Sequence, residues 1–203
     1  MNIAVLGTGH IGGTLGNKWA KAGHTVRFGA RDPQKAELQE LLKSIGENAS
    51  ASSIAEAIAF GEVVLFAIPG TVMDATIADH AKALKGKIII DSANKMNTTP
   101  RNSMAIFAAL VPAAKVYRAF NAYGWENFET PTFDNITADL FYCGPNGESR
   151  AVMDKLIADI GLEPMYLGGA EQAELVDALL ALWFTLAIGQ KMGRHLALKV
   201  LKG

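Results

Sequence analysis

A doubly wound α/β fold of Rossmann type follows from three features of this 203-residue chain. Short apolar runs alternate with helix-like segments through its first two-thirds. Most of those runs are hydrophobic without a break, as strands of a parallel sheet covered on both faces must be. The first of them leads through Gly7-x-Gly9-x-x-Gly12 into a helical stretch, the opening turn of a nucleotide-binding crossover. A small C-terminal lobe ending in a long helix completes the expected architecture.

Taken in order, the Val-, Ile- and Phe-rich runs place strands at 3–7, 25–29, 62–69, 87–91 and 115–121, with a weaker one near 47–50. Helices are expected between them, at about 10–22, 34–45, 53–60, 71–84 and 101–110. The third helix has a clear start, because Ser53 and Glu56 stand at the S-x-x-E spacing of a capping box. After residue 122 the texture changes. "AYGWENFETPTFDN" (122–135) reads as loop, followed by a strand at 138–144, a helix at 146–161 and a strand at 164–168. A helix over 171–202 ends the chain. This divides the chain into a nucleotide-binding lobe, 1–122, and a smaller part, 123–203, packed on it.

Composition narrows the class. Half of the residues are hydrophobic, 19% are charged and the net charge is −1, so no basic surface for nucleic acid or anionic membrane is expected. The single cysteine, Cys143, forms no intramolecular disulfide and fits a reducing compartment; inside a strand-like run it reads as core. The chain enters its first strand without a basic leader, which points to the cytoplasm. The apolar stretch 175–189 is broken by Asp177 and Thr185 and falls short of the ~20 apolar residues of a membrane span.

Each glycine of the turn has a physical task. Gly7 permits the tight exit from the strand, Gly9 lets backbone approach a pyrophosphate, and Gly12 lets helix pack on strand. The helix N-terminus then offers free N–H groups and a positive dipole end to phosphate. Gly13 and Gly16 read as close-packing positions. No mononucleotide P-loop sequence occurs.

Arg31 and Asp32 stand just past the second strand, where such a fold meets the adenosine ribose. The guanidinium suits a 2′-phosphate, with Lys35 a turn further on and the Thr8 hydroxyl in the glycine turn. That set favours NADP. Asp32 offers two readings: a ribose ligand favouring NAD, or an N-cap with Pro33 at the first helical position.

These residues, together with "AIPG" (67–70), "IIIDSAN" (88–94), "RAFNAYGWENF" (118–128), "LFYCG" (140–144) and the stretch 174–202, resemble the NADP-dependent oxidoreductases of the coenzyme F420 (8-hydroxy-5-deazaflavin) type. The resemblance implies a Rossmann lobe holding NADP and a smaller C-terminal part shaping a cavity over the nicotinamide. It carries cofactor contacts onto Thr8, Gly9, His10 and Ile11, then Ala30, Arg31 and Lys35. Ala67, Ile68, Pro69 and Val72 follow from the third long strand, and Ser92, Ala93, Asn94, Asn121 and Ala122 from the last two. Two segments depart from the family pattern. "IIIDSANKMN" lacks the proline that many relatives place after the asparagine, and "GGAEQAELVD" (168–177) lacks their small-residue-and-arginine pattern. The second faces the acceptor in relatives, so the acceptor is the least determined part of the reading.

Hydride transfer is cofactor chemistry, for which the protein stacks two rings and excludes water. No catalytic acid or base stands out: no Tyr-x-x-x-Lys pair occurs, and the four histidines show no metal-ligand spacing. His10 reads as support for the phosphate turn. Asn121 is either a turn former or a partner of the nicotinamide amide. Trp125 and Phe128 either line the cavity or pin their loop. The terminal helix, apolar nearly all round over 175–188, is expected to be covered on every side, which a homodimer built on it would achieve. The expected partner is a deazaflavin or similar small-molecule acceptor. Reduction of an imine, ketone or ferric chelate, and a non-catalytic NADP(H) redox sensor, are the alternatives.

Overall fold

The computed structural model describes residues 1–203. Its elements are, in chain order, β1 (Asn2–Leu6), α1 (His10–Lys21), β2 (Thr25–Gly29), α2 (Ala36–Ile45), β3 (Ala49–Ser52), α3 (Ile54–Phe60), β4 (Val63–Phe66), α4 (Met73–Leu84), β5 (Ile88–Asp91), α5 (Met104–Leu110) and β6 (Lys115–Arg118). These strands form one parallel sheet in the order β3-β2-β1-β4-β5-β6. The order reverses between β1 and β4, and a crevice opens at the carboxyl ends of the strands there.

The sheet holds because its strands are apolar on both faces. Within β1, Ile3 and Val5 join one buried cluster and Ala4 and Leu6 another, on opposite sides of the pleat. Gly16 on α1 lets that helix settle onto β2, since a Cβ there would lie 2.5 Å from the Phe28 ring. Gly13, by contrast, would make only ordinary contact with Leu41. The capping box at α3 forms as its spacing requires: the Ser53 hydroxyl accepts from the Glu56 amide and the Glu56 carboxylate from the Ser53 amide.

Beyond the sheet lie α6 (Glu126–Glu129), a hairpin of β7 (Thr132–Phe133) and β8 (Ile136–Thr137), then β9 (Asp139–Tyr142), α7 (Glu148–Asp159), β10 (Glu163–Tyr166) and α8 (Ala173–Phe184). β9 and β10 pair in parallel, and a bridge from Arg118 to Cys143 joins them to the edge of the main sheet. The Trp19 indole donates to the Leu156 carbonyl at 2.9 Å, tying α1 to α7. One buried cluster runs from Ile3 to Ala187.

Three expectations need correction. The segment 122–135 is not all loop, since Trp125 starts the short α6 and Asp134 and Asn135 turn the hairpin with positive φ. Helix α2 begins at Ala36 with Lys35 as its N-cap. The Asp32 carboxylate instead accepts from the Gln34 amide in a local turn, so Asp32 is not the helix cap. The terminal helix does not reach 202. A turn at Ala170–Gln172 precedes α8, a widened π turn at Thr185–Gly189 ends it, and residues 190–203 run as a strap. Gly189 and Gly193 interrupt the apolar pattern, and the strap finds better partners on the body: the Leu198 amide donates to the Tyr123 hydroxyl and its carbonyl accepts from the Asp139 amide.

Candidate functional site

The loops at the carboxyl ends of β1, β2, β4, β5 and β6 surround two adjoining clefts. At Gly7 the backbone takes φ +106, open to glycine, and a Cβ on Gly12 would overlap the Gly7 carbonyl. Gly9 has open space where a side chain would stand. It is also the N-cap of α1, with no side-chain cap and no acidic residue in the first turn. The free N–H groups of that turn therefore face the crevice unneutralised, a fit for a pyrophosphate.

The first cleft, about 500 Å³, is lined by Gly7, Thr8, Ala30, Arg31, Lys35, Ile68, Pro69 and Val72 from the expected set, with Asp32 and Thr76 beside them. Arg31 is exposed at its rim and takes part in no ion pair or hydrogen bond of the protein. Lys35 reaches only Glu37, at 3.6 Å on the open surface. Two cations free to meet a phosphate thus stand where an adenosine ribose would lie.

The second cleft, about 360 Å³, takes Gly9, His10, Ile11, Ala67, Ser92, Asn94 and Asn121 from the same set. Its walls are aromatic: Phe120, Trp125, Trp183 and Phe184 line it. The Trp125 ring stacks on His10 at 4.9 Å, which places His10 as a wall of the cavity. Arg194, from the strap, pairs with Glu126 at 2.6 Å at the margin. Burial tends to raise the Glu126 pKa, but the hydrogen bond and charge of Arg194 outweigh it and hold the carboxyl below its ordinary value.

Three expected residues line neither cleft. Gly12 serves helix packing, Ala122 is buried, and Ala93 is buried with its carbonyl turned to Arg118. Phe128 is likewise core, edge-on to Phe120. Phe120 carries φ +60, a conformation costing roughly 1–2 kcal/mol for a residue with a Cβ. Edge contacts with Trp19 and Phe128 hold it there, and the reversal swings Asn121 under the second cleft. Cys143 is buried and its thiol is pushed up to about 12, chiefly by desolvation.

Sequence reasoning missed the polar support beneath this cleft. Arg118, wholly buried, bonds Asp177 through Nε at 2.8 Å, Asp91 at 3.2 Å and the Asn94 side-chain oxygen at 2.6 Å. Asn102 donates to the other Asp177 oxygen at 2.7 Å. Both residues had a signal: an arginine inside an apolar strand and an aspartate inside the most apolar helix rarely sit buried unless paired.

Fold and site together define a dinucleotide-dependent oxidoreductase. Residues 2–95, just under half of the chain, match the family "NADP oxidoreductase coenzyme F420-dependent", and together with its F420-dependent NADP reductase relatives this marks the chain as an NADP-dependent oxidoreductase. It is 28% identical to the F420-dependent NADP reductase of Methanocaldococcus jannaschii, with 94% of each chain covered. It is also 26% identical to the metalloreductase STEAP3 of Rattus norvegicus over 87% of its own length, spanning 36% of that protein. A crystal structure from Arthrobacter sp. FB24, provisionally described as an F420-dependent NADP reductase, superposes over the full length of both chains with a TM-score of 0.86 at 25% identity. An imine reductase of Aspergillus terreus shares the fold, at TM-score 0.69 and 23% identity over 63% of that chain.

NADPH, when bound, supplies the hydride. The residues placed to hold the nucleotide would be the glycine turn for the phosphates and Arg31 and Lys35 for a 2′-phosphate, with the aromatic-walled space over Asn94 and Asn121 left for the reacting rings.

Proposed function

We propose that this protein passes a hydride between NADPH and a deazaflavin, coenzyme F420 or a close analogue. The observation that carries the reading is the second cleft. It is polar below, at Ser92, Asn94 and Asn121, and aromatic around, at Trp125, Trp183 and Phe184. A flat fused-ring acceptor fits such walls by stacking. The likeness to F420-dependent NADP reductases over nearly whole chains supports it. In this reading the cofactor contacts come from those residues of the expected set that line the two clefts, while Gly12, Ala93 and Ala122 support them from beneath the surface.

In this reading residues 1–122 hold the nucleotide, residues 123–203 shape the acceptor space, and the protein works in the cytoplasm as a homodimer. The exposed apolar surface formed by Leu175 and Leu182 of α8 and Ile188 of the π turn after it supports the dimer. The span Ala170–Gly189 has the length and mean hydropathy, 1.4, of a membrane-crossing helix. Asp177 within it is paired to buried Arg118, which favours a helix docked on the domain.

The test is anaerobic turnover of NADPH with F420, a cyclic imine and a ferric chelate in parallel. The deazaflavin should be reduced about 100-fold more efficiently than either, a discrimination that a site built around one substrate provides. Faster reduction of the imine or the chelate would overturn the proposal.

A further inference from the structure

Asn94 and Asn121 are amides, and an amide presents an acceptor on one side and a donor on the other. What lies behind each one decides which side faces the cavity. Behind Asn94 is Arg118, which can only donate. Its Nη2 reaches the Asn94 side-chain oxygen at 2.6 Å, so the Asn94 NH2 must point away. One of its hydrogens goes to the Asn121 carbonyl at 2.9 Å and the other is free. Behind Asn121 is Asp177, which as a carboxylate can only accept. The Asn121 NH2 therefore turns to Asp177 Oδ1, at 3.3 Å, and its oxygen turns away. That oxygen is buried with no partner, although Asn121 is 3% exposed and an unmet buried acceptor is costly.

We propose that the Arg118–Asp177 pair is an orienting device: it fixes the two asparagines at the floor of the nicotinamide cleft so that a free donor on Asn94 stands beside an unmet acceptor, the buried oxygen of Asn121, a match for a carboxamide. Arg118 and Asp177 are positioning residues; they act through Asn94 and Asn121. A carboxamide ligand would accept from Asn94 and donate to Asn121. A carboxylate in the same place would set its oxygens against the Asn121 oxygen. The pair thus makes the site selective for the amide form of the cofactor's pyridine ring. This rests on the assignment of NADP as the cofactor.

The test compares binding of NADP+, its nicotinic acid analogue (nicotinic acid adenine dinucleotide phosphate) and 2′,5′-ADP, which lacks the pyridine half, to the full-length protein by calorimetry. Wild type should prefer NADP+ to the acid analogue by at least ~10-fold, one mispaired buried polar contact. Asp177→Ala removes the acceptor behind Asn121 and should narrow that ratio to about threefold or less, leaving 2′,5′-ADP affinity unchanged. Asp177→Asn loses the same charge but keeps an oxygen toward Arg118, so it should retain the wild-type ratio. This separates orientation from charge, and a merely structural defect would weaken all three ligands together. Should Asp177→Ala fail to fold, Asn121→Ala should narrow the ratio in the same way. An unchanged ratio in Asp177→Ala or in Asn121→Ala, or equal loss in Asp177→Asn, overturns the proposal. Failure of 2′,5′-ADP to bind wild type would instead strike the nucleotide assignment beneath it.

Discussion

Arg31 stands exposed at the rim of the first cleft with no partner of its own, and its charge is therefore unspent until a phosphate arrives. A forked, charge-assisted contact of this kind contributes about 1.5–3 kcal/mol. Arg31→Ala should then weaken NADPH binding by roughly 10- to 100-fold and leave NADH binding nearly unchanged, as read by titration of nucleotide fluorescence. Equal losses for both nucleotides would assign Arg31 to the fold. Asp32, beside it, was open to two readings from sequence. Its carboxylate proves to be engaged by the Gln34 amide, a local turn that spacing alone did not separate from a helix cap two residues on. The glycines were legible because each has one physical task, and the Gly7 and Gly12 geometries meet it. Arg118 and Asp177 each carried a signal as a charge in an apolar element, but their pairing was not legible, since the two lie 59 residues apart and contact across that distance leaves no periodicity to read.

At the scale of elements, α1 carries much of the packing. The Gly16 site has no room against Phe28, so Gly16→Ala should destabilise the protein by about 1–3 kcal/mol through overpacking, measured as a shift in urea midpoint. Where α1 ends, His24 meets Asp159 of α7 at 2.7 Å. Burial raises the Asp159 pKa, but hydrogen bonds from Lys155 and His24 outweigh it and hold the carboxyl below the ordinary 3.8. A depressed folded-state pKa contributes stability that is present above the unfolded value and lost as pH falls through the folded one. Between about pH 5 and pH 3 the wild type should therefore lose stability more steeply than Asp159→Asn, seen in urea midpoints across that range; parallel curves would contradict it. Elements with a strong local pattern, such as the capped α3, were readable from sequence. The end of the last helix was not. Gly189 and Gly193 weaken its pattern without fixing where the helix stops, and the strap from 190 onward is held by Asp139, Tyr123 and Glu126, contacts that only the tertiary fold creates.

For the molecule as a whole, α8 is the element on which the two functional claims meet. Val176, Asp177, Leu180 and Trp183 face the body, while Leu175, Leu182 and Ile188 face outward. Within one protomer the helix is thus buried on one face, and the outward face is what the proposed dimer would cover. Wild-type protein should sediment as a dimer, and Leu182→Glu, which sets a charge into that outer apolar face, should sediment as a monomer; a wild-type monomer at tens of micromolar would remove the dimer from the account. The doubly wound parallel sheet was readable from the alternation of strands and helices, because right-handed crossovers leave few other arrangements, while the order of its strands came from the structure. The acceptor cavity was readable only in outline, since its walls come from segments that are far apart in sequence and have no common motif.

The central claim, direct hydride transfer from NADPH to a deazaflavin, is tested most directly by isotope tracing. The protein is mixed anaerobically with F420 and NADPH carrying deuterium at C4 of the nicotinamide, and the reduced deazaflavin is weighed by mass spectrometry. The account predicts that deuterium from one face of the nicotinamide appears in the deazaflavin ring. NADPH oxidised without deuterium reaching the deazaflavin, or no oxidation at all, would contradict it.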